Sequence, residues 1–223
     1  MRMQRSARRL LMTVLAIALA DADASAQWLV AGYVGASHTT SSTLHVRPEA
    51  APPFDLPRIE FRGESWHAPI YYGYRLSWRR GRAPFGIEGE FTHAKTIAVD
   101  TRSSSLTHFA QSHGLNFVLA NVTYQRRAGC AGRCVVVGRA GAGVAIPHVE
   151  ATYLGAPVSA YQAGGPAFQA GAGLEVAVHR GLTAIVDGRL TYARVTDDLR
   201  GATLTSAFTT WHFTFGAGWR FGL

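Results

Sequence analysis

The stretch Thr209–Leu223, TTWHFTFGAGWRFGL, decides the fold. Trp211, Phe213, Phe215, Ala217, Trp219, Phe221 and Leu223 share one parity, while Thr210, His212, Thr214, Gly216, Gly218 and Arg220 share the other. Successive side chains of a strand point to opposite faces, so this period of two gives one apolar and one polar face. The run is longer than the usual globular strand of about five to six residues. Its length suits a strand with one face in lipid and the other in a polar lumen.

The same period recurs upstream. In SWHAPIYYGYRLSW, Trp66, Ile70, Tyr72, Tyr74, Leu76 and Trp78 oppose Ser65, His67, Tyr71, Arg75 and Ser77. In LTAIVDGRLTYA, Leu182, Val186, Leu190 and Tyr192 oppose Thr183, Asp187, Arg189 and Thr191. Reading the whole chain this way predicts strands at roughly 28–38, 65–78, 84–97, 112–124, 135–147, 162–178, 182–194 and 205–223. Connections 79–83, 125–134 and 179–181 are short, and 39–64, 98–111, 148–161 and 195–204 are long. That alternation is the asymmetry of outer-membrane barrels, with short periplasmic turns and longer external loops. The expected fold is therefore all-β: an eight-stranded antiparallel up-and-down transmembrane β-barrel in the bacterial outer membrane, both termini periplasmic. A soluble lipocalin-like barrel is the competing fold, and it would place the apolar parity inside.

Composition agrees with that reading. The chain has 223 residues, 48% hydrophobic and 16% charged, with 24 glycines and a formal charge of +8. So apolar a chain is not disordered, and two cysteines make neither a disulfide scaffold nor a four-cysteine zinc site. Residues 1–26 read as a signal peptide: Arg2, Arg5, Arg8 and Arg9, then apolar Leu10–Ala20, then Ala24-Ser25-Ala26 before Gln27. Four arginines and two aspartates would leave with it, lowering the charge from +8 to +6. Residues 27–223 then form the barrel domain.

The inward parity carries Arg75, Glu88, Glu90, Arg139, Glu175, Asp187, Arg189 and Arg220. Eight strands enclose a bore that side chains can fill, so these charges predict a neutralised plug rather than a conducting pore. Arg79, Arg80, Arg82, Arg126, Arg127, Arg133 and Arg180 fall in the short turns, where they would meet anionic lipid. No nucleic-acid motif accompanies them, and a monomer without a nucleic-acid partner is expected. Cys130 and Cys134 are spaced to form a disulfide within one turn or to remain two free thiols.

Histidines gather at the long-loop end. His38, His67, His93, His113 and His148 fall at strand ends there, with Lys95 and Glu150 beside them. Imidazoles with a carboxylate are a donor set for a divalent or redox metal ion. Strict alternation aims His93 and Lys95 outward with Phe91, whereas a bulge near Thr92 would turn them inward. Ser65 and His67 form a serine–histidine pair without any hydrolase motif around it. Arg47, Arg58, Arg62, Lys95, Arg194 and Arg200 are placed to pair with lipid phosphates.

At these residues the chain resembles a known family. The blocks SWHAPIYYGYR, EFTHAK, HGLN, GAGVAIPHVE and YQAGGPA resemble stretches of the outer-membrane lipid A oxidases of rhizobia and their homologues, over roughly residues 39–195. The matched polar positions are His67, His93, Lys95, His113, Asn116, His148, Glu150 and Gln162. The loops depart from the family, as in the Pro- and Ala-rich stretch from Pro48 to Pro57. The resemblance implies an eight-stranded barrel that binds lipid A. It also implies oxidation of the proximal glucosamine to 2-aminogluconate, with molecular oxygen as co-substrate and hydrogen peroxide released. The catalytic candidates are His93, Lys95, His148 and Glu150. The metal-ligand candidates are His67, His93, His113, His148 and Glu150. The alternative is a non-catalytic small barrel with a structural or surface-binding role.

Overall fold

A computed structural model describes residues 26–222. Its strands are β1 (Ala26–Thr39), β2 (Ser42–Pro48), β3 (Phe54–Ile59), β4 (Phe61–Arg62), β5 (Tyr72–Arg80), β6 (Phe85–Ala98), β7 (Leu106–Arg127), β8 (Cys134–Tyr153), β9 (Ala156–Tyr161), β10 (Gly165–His179), β11 (Leu182–Leu199) and β12 (Ala202–Phe221). Strands β1, β5, β6, β7, β8, β10, β11 and β12 pair in that order, and β12 pairs back with β1. The ring is closed and every ladder in it is antiparallel. The expected eight-stranded barrel is thus present. The signal-peptide reading falls on residues outside the described range, Ala26 excepted.

The faces decide between lipid and water outside. Trp211, Phe213, Phe215, Trp219 and Phe221 are exposed, while Thr210, His212 and Thr214 are buried. Val30, Tyr74, Leu76, Phe85, Ile87, Val118, Val122, Tyr124, Val144, Phe168, Val186 and Tyr192 extend the exposed apolar band around the ring. A continuous belt of this kind is incompatible with water and matches the lipid-facing band of an outer-membrane barrel. The soluble alternative, with charges outside, is excluded.

Inside that band the lumen is an ionic plug. Arg75 holds Glu90 at 3.0 Å and Asp187 at 2.8 Å, and Arg139 holds Glu88 at 3.2 Å. Arg139 also meets Asp187, and Arg189 meets Glu90. Three guanidiniums thus face three carboxylates, with no net charge. Asn121 and Gln169 donate to the same carboxylates, at 3.0 and 2.6 Å from Glu90. The Tyr33 ring lies between the Arg75 and Arg189 guanidiniums, 4.8 and 4.7 Å from its centroid. Gly73 is required there, since a Cβ on it would come within 2.2 Å of the Tyr33 ring.

Beyond the band, four ring strands continue past their expected ends, and the loops carry strands of their own. The connection expected at 195–204 is instead a tight turn at Arg200-Gly201 between β11 and β12. Strand β2 adds to the far end of β12, β3 pairs with β2, β4 with β6, and β9 with β8. The strand expected at 65–78 starts only at Tyr72. Pro69 lacks a backbone donor, and residues 65–71 form a turn instead. The expected mixed-charge interior also stops here. This extension encloses an apolar core that includes Leu44, Ile59, Phe61, Leu106, Phe109, Val149, Val195, Leu204 and Phe208. At the opposite end Cys130 and Cys134 form a disulfide within the β7–β8 turn.

Candidate active site

On β8 the outward row runs Val136, Ala140, Ala142 and Val144, and continues through Ile146 to His148 and Glu150. The intervening Val137, Ala145, Val149 and Ala151 are buried. His148 and Glu150 therefore stand on the outer wall, directly above the lipid band, and not in the lumen.

His113 reaches the same spot through an irregularity in β7. Ala110 pairs with Glu150 and Leu115 with Pro147, so β7 spends more residues than β8 over this interval. Opposite β6 the same happens: Ala94 pairs with Leu115 and Thr96 with Gln111. The two excess residues fall within Ser112-His113-Gly114. Such a bulge re-aims a side chain, and here it turns His113 outward although Leu115, Phe117 and Leu119 of the same parity are buried. Gly114 adopts φ +124°, and a Cβ on it would lie 2.7 Å from His93 and from Asn116 Oδ1. Only glycine meets both demands.

One donor atom each from His113, His148 and Glu150 lies within 4.8 Å of the others. The two imidazole rings are 5.0 Å apart, and His148 Nδ1 is 3.3 Å from Glu150 Oε1. His113 Nδ1 bonds Glu150 Oε1, while Ser112 Oγ donates to both carboxylate oxygens at 2.8 and 2.9 Å. Glu150 stands above the membrane band. Partial burial alone would raise its pKa, but the bonds from His113 and Ser112 and the two nearby imidazoles hold it below the ordinary carboxylate value. Tyr161 of β9 packs its ring edge on His148 at 4.6 Å. His148 Nδ1 is buried and forms no hydrogen bond among the described residues. Two imidazoles and one ionised carboxylate at this spacing fit a divalent cation with open positions.

His93 lies one strand further round. Alternation holds through it: Thr92 faces in and bonds the Tyr33 hydroxyl at 2.6 Å, and His93 keeps the outward parity of Ile87 and Phe91. The bulge near Thr92 that would have turned His93 and Lys95 inward is absent; the irregularity in the β6–β7 pairing falls at Lys95. His93 is nevertheless buried, with Tyr72 stacked on it at 5.0 Å. Asn116 donates through Nδ2 to the Ile146 carbonyl at 3.2 Å, which orients its Oδ1 toward His93 Nδ1, 2.8 Å away. An amide oxygen only accepts, so His93 carries its proton on Nδ1. Its Nε2 is left as a buried lone pair with no partner among the described residues.

The other candidates separate from this group. Lys95 Nζ donates to the backbone carbonyls of His67 and Ala68 at 3.0 and 3.2 Å, so its ammonium ties down the 65–71 turn. The His67 side chain is exposed and does not join the trio. Ser65 Oγ accepts from the Ser37 backbone at 3.0 Å, and no Ser65–His67 bond exists among the described residues. Gln162 clasps Asp198, accepting from its backbone N–H at 2.6 Å and donating to its carbonyl at 2.9 Å. What sequence alone missed is the roles of Ser112 and Tyr161. Their only signal is position: Ser112 adjoins the HGLN block, and Tyr161 is the first residue of YQAGGPA.

No protein-family model and no curated protein matches this chain. Among solved structures it is similar to Neisserial surface protein A, at 10% identity and TM-score 0.43, covering 89% of this chain and 99% of that one. It is also similar to OprG from Pseudomonas aeruginosa, at 9% identity and TM-score 0.45, covering 90% and 98%. A third is the outer membrane protease OmpT from Escherichia coli, at 7% identity and TM-score 0.47, covering 87% and 97%. The assignment itself rests on the closed ring and its faces. The class they define is an eight-stranded outer-membrane β-barrel.

Proposed function

We propose that this barrel is an outer-membrane oxidase acting on the proximal glucosamine of lipid A, with both termini in the periplasm and its site on the outer leaflet side. The observation that carries the reading is the convergence of His113, His148 and Glu150 on the outer wall just above the apolar band, with His93 held one strand away by Asn116. A saccharide headgroup anchored by acyl chains lies at that height, so the substrate reaches the site laterally. The blocks that resemble lipid A oxidases are distant in sequence, yet His93, His113, Asn116, His148 and Glu150 from three of them meet here.

Oxidising a hemiacetal carbon to a lactone removes two electrons and two protons. Molecular oxygen takes up both and leaves as hydrogen peroxide, and water then opens the lactone to the acid. A redox-active divalent ion bound by His113, His148 and Glu150 would supply the electron transfer that side chains cannot. The unprotonated Nε2 of His93 is the base for the sugar hydroxyl. Asn116 fixes its tautomer, and Lys95 holds the adjoining turn. On the same rim, Arg47, Arg194, His45, Thr196, Thr203 and Thr205 line a shallow cavity on the outer face of β2, β11 and β12. Arg194 stands two strands from Ala145, through the Gly165–Ala145 pair. It and Arg47 are placed to take a lipid A phosphate.

Mass spectrometry of lipid A from aerated cells expressing the protein tests this. A gain of one oxygen, absent with His148→Ala and with His93→Gln, is expected. Unchanged lipid A beside a folded barrel would overturn the reading and leave the non-catalytic barrel.

A further inference from the structure

The short-turn mouth of the barrel differs electrostatically from the plug above it. A cavity of about 530 Å³ opens there, lined by Arg79, Arg82, Arg127, Arg133 and Arg220, with Glu175 as the one carboxylate among the described residues of its wall. Glu175 is already taken by Arg220 at 2.6 Å. Arg79 reaches Gln27 with one nitrogen, but its Nε is buried with no acceptor. No ion pair of Arg82, Arg127 or Arg133 exists among the described residues.

This arrangement is costly as it stands. Like charges crowd one opening, and a buried guanidinium N–H without an acceptor loses its hydration for no return. The plug differs in charge balance: Arg139 Nη2 and Arg189 Nε also lack an acceptor there, but every plug guanidinium has a carboxylate. The cavity size lies in the ordinary small-ligand range of about 300–1,000 Å³. Planar guanidiniums match phosphate oxygens two at a time. The Cys130–Cys134 disulfide closes the turn that carries Arg133 and so fixes one edge of the opening. The strand wall separates the cavity from the surrounding bilayer.

We infer that this mouth is a binding site for a small, multivalent, free phosphoanion of the pyrophosphate class. The site stands at the opposite end from the outer-wall histidines, and it holds whether or not the lipid A reading does.

The test is calorimetric titration of sodium pyrophosphate into the full-length mature chain, folded in zwitterionic nanodiscs at fixed ionic strength. One saturable site is expected. It should weaken at least tenfold in Arg127→Gln/Arg133→Gln, whose side chains are exposed and whose loss should leave the fold intact, and in Arg79→Gln. Arg47→Gln/Arg194→Gln, at the other end, should bind as wild type does. Absence of saturable binding to the wild type would overturn the inference. So would undiminished binding in the folded Arg127→Gln/Arg133→Gln variant. Including phosphatidylglycerol in the nanodiscs should leave pyrophosphate binding within twofold; competitive loss would assign the site to a lipid headgroup and overturn the free-anion occupant.

Discussion

The two halves of this barrel are built in opposite senses. In the membrane band the inside is ionic, with Arg75, Arg139 and Arg189 against Glu88, Glu90 and Asp187, and the outside is aromatic. In the extension the inside is apolar, with Leu44, Phe109, Val149 and Phe208, and the outside of β11 carries Arg194, Thr196 and Asp198. The same strands run through both halves. The change of sense marks the level at which lipid gives way to water. It falls on β11 between Tyr192 and Arg194, and on β8 between Val144 and His148. The candidate active site sits at this level.

The comparison can be broken from either side. Arg75→Ala should have the largest effect, because it removes the cation that Glu90 and Asp187 share and leaves three plug carboxylates against two guanidiniums. A loss of about 3–5 kcal/mol is expected, read as the urea midpoint of unfolding from lipid vesicles. Phe208→Ala empties part of the extension core at a cost of about 3–4 kcal/mol. Its signature should differ: limited proteolysis should cut the extension while the membrane half keeps its folded electrophoretic mobility.

A matched pair on one outward row sharpens the boundary. Val186→Arg places a charge in the lipid band and should cost about 2–4 kcal/mol, whereas Thr196→Arg, above the boundary, should cost within about 0.5 kcal/mol. Equal costs would remove the proposed change of sense.

The smallest expected effect concerns Asp197, the one acid that faces into the apolar half. Among the described residues it bonds only Gln111 Nε2, at 3.4 Å, and its Oδ1 and Gln111 Oε1 have no partner. Burial pushes its pKa from 3.8 up to about 7 against the opposing pull of the Gln111 hydrogen bond, with a lesser push from Asp198. The folded state therefore holds a proton that the unfolded chain releases near the lower value. Stability should fall as pH rises between about 4 and 7 and then level off. Asp197→Asn should stabilise at pH 8 and change little at pH 4, checked by paired urea titrations.

The membrane half was legible in the sequence because its signal is simple: lipid outside and charge inside both obey a period of two. The extension was not, and β11 shows why. Leu190 and Tyr192 carry the apolar parity outward, and then Ala193, Val195 and Leu199 carry it inward. That phase change reads as the end of a strand, so the expected boundary fell at 194 where the ladder runs on to Leu199. Lumenal charges such as Arg139 and Asp187 needed only parity. His113 needed a bulge that parity cannot foresee, and the trio with His148 and Glu150 was visible only as part of a wider rim of histidines. His67 was misassigned to the metal set because its block was read as strand, whereas Pro69 breaks that strand and leaves the side chain in solvent.

The central claim is that the histidine–glutamate site lies on the outer wall where lipid meets water. Nitroxide labels on single cysteines at positions 144, 148 and 152, read by collision with oxygen and with a water-soluble nickel chelate in nanodiscs, test it most directly. The label at 144 should meet oxygen almost alone, that at 152 mainly nickel, and that at 148 should sit at the crossover. Free access of nickel to 144, or a label at 148 shielded from both quenchers inside the barrel, would contradict the account.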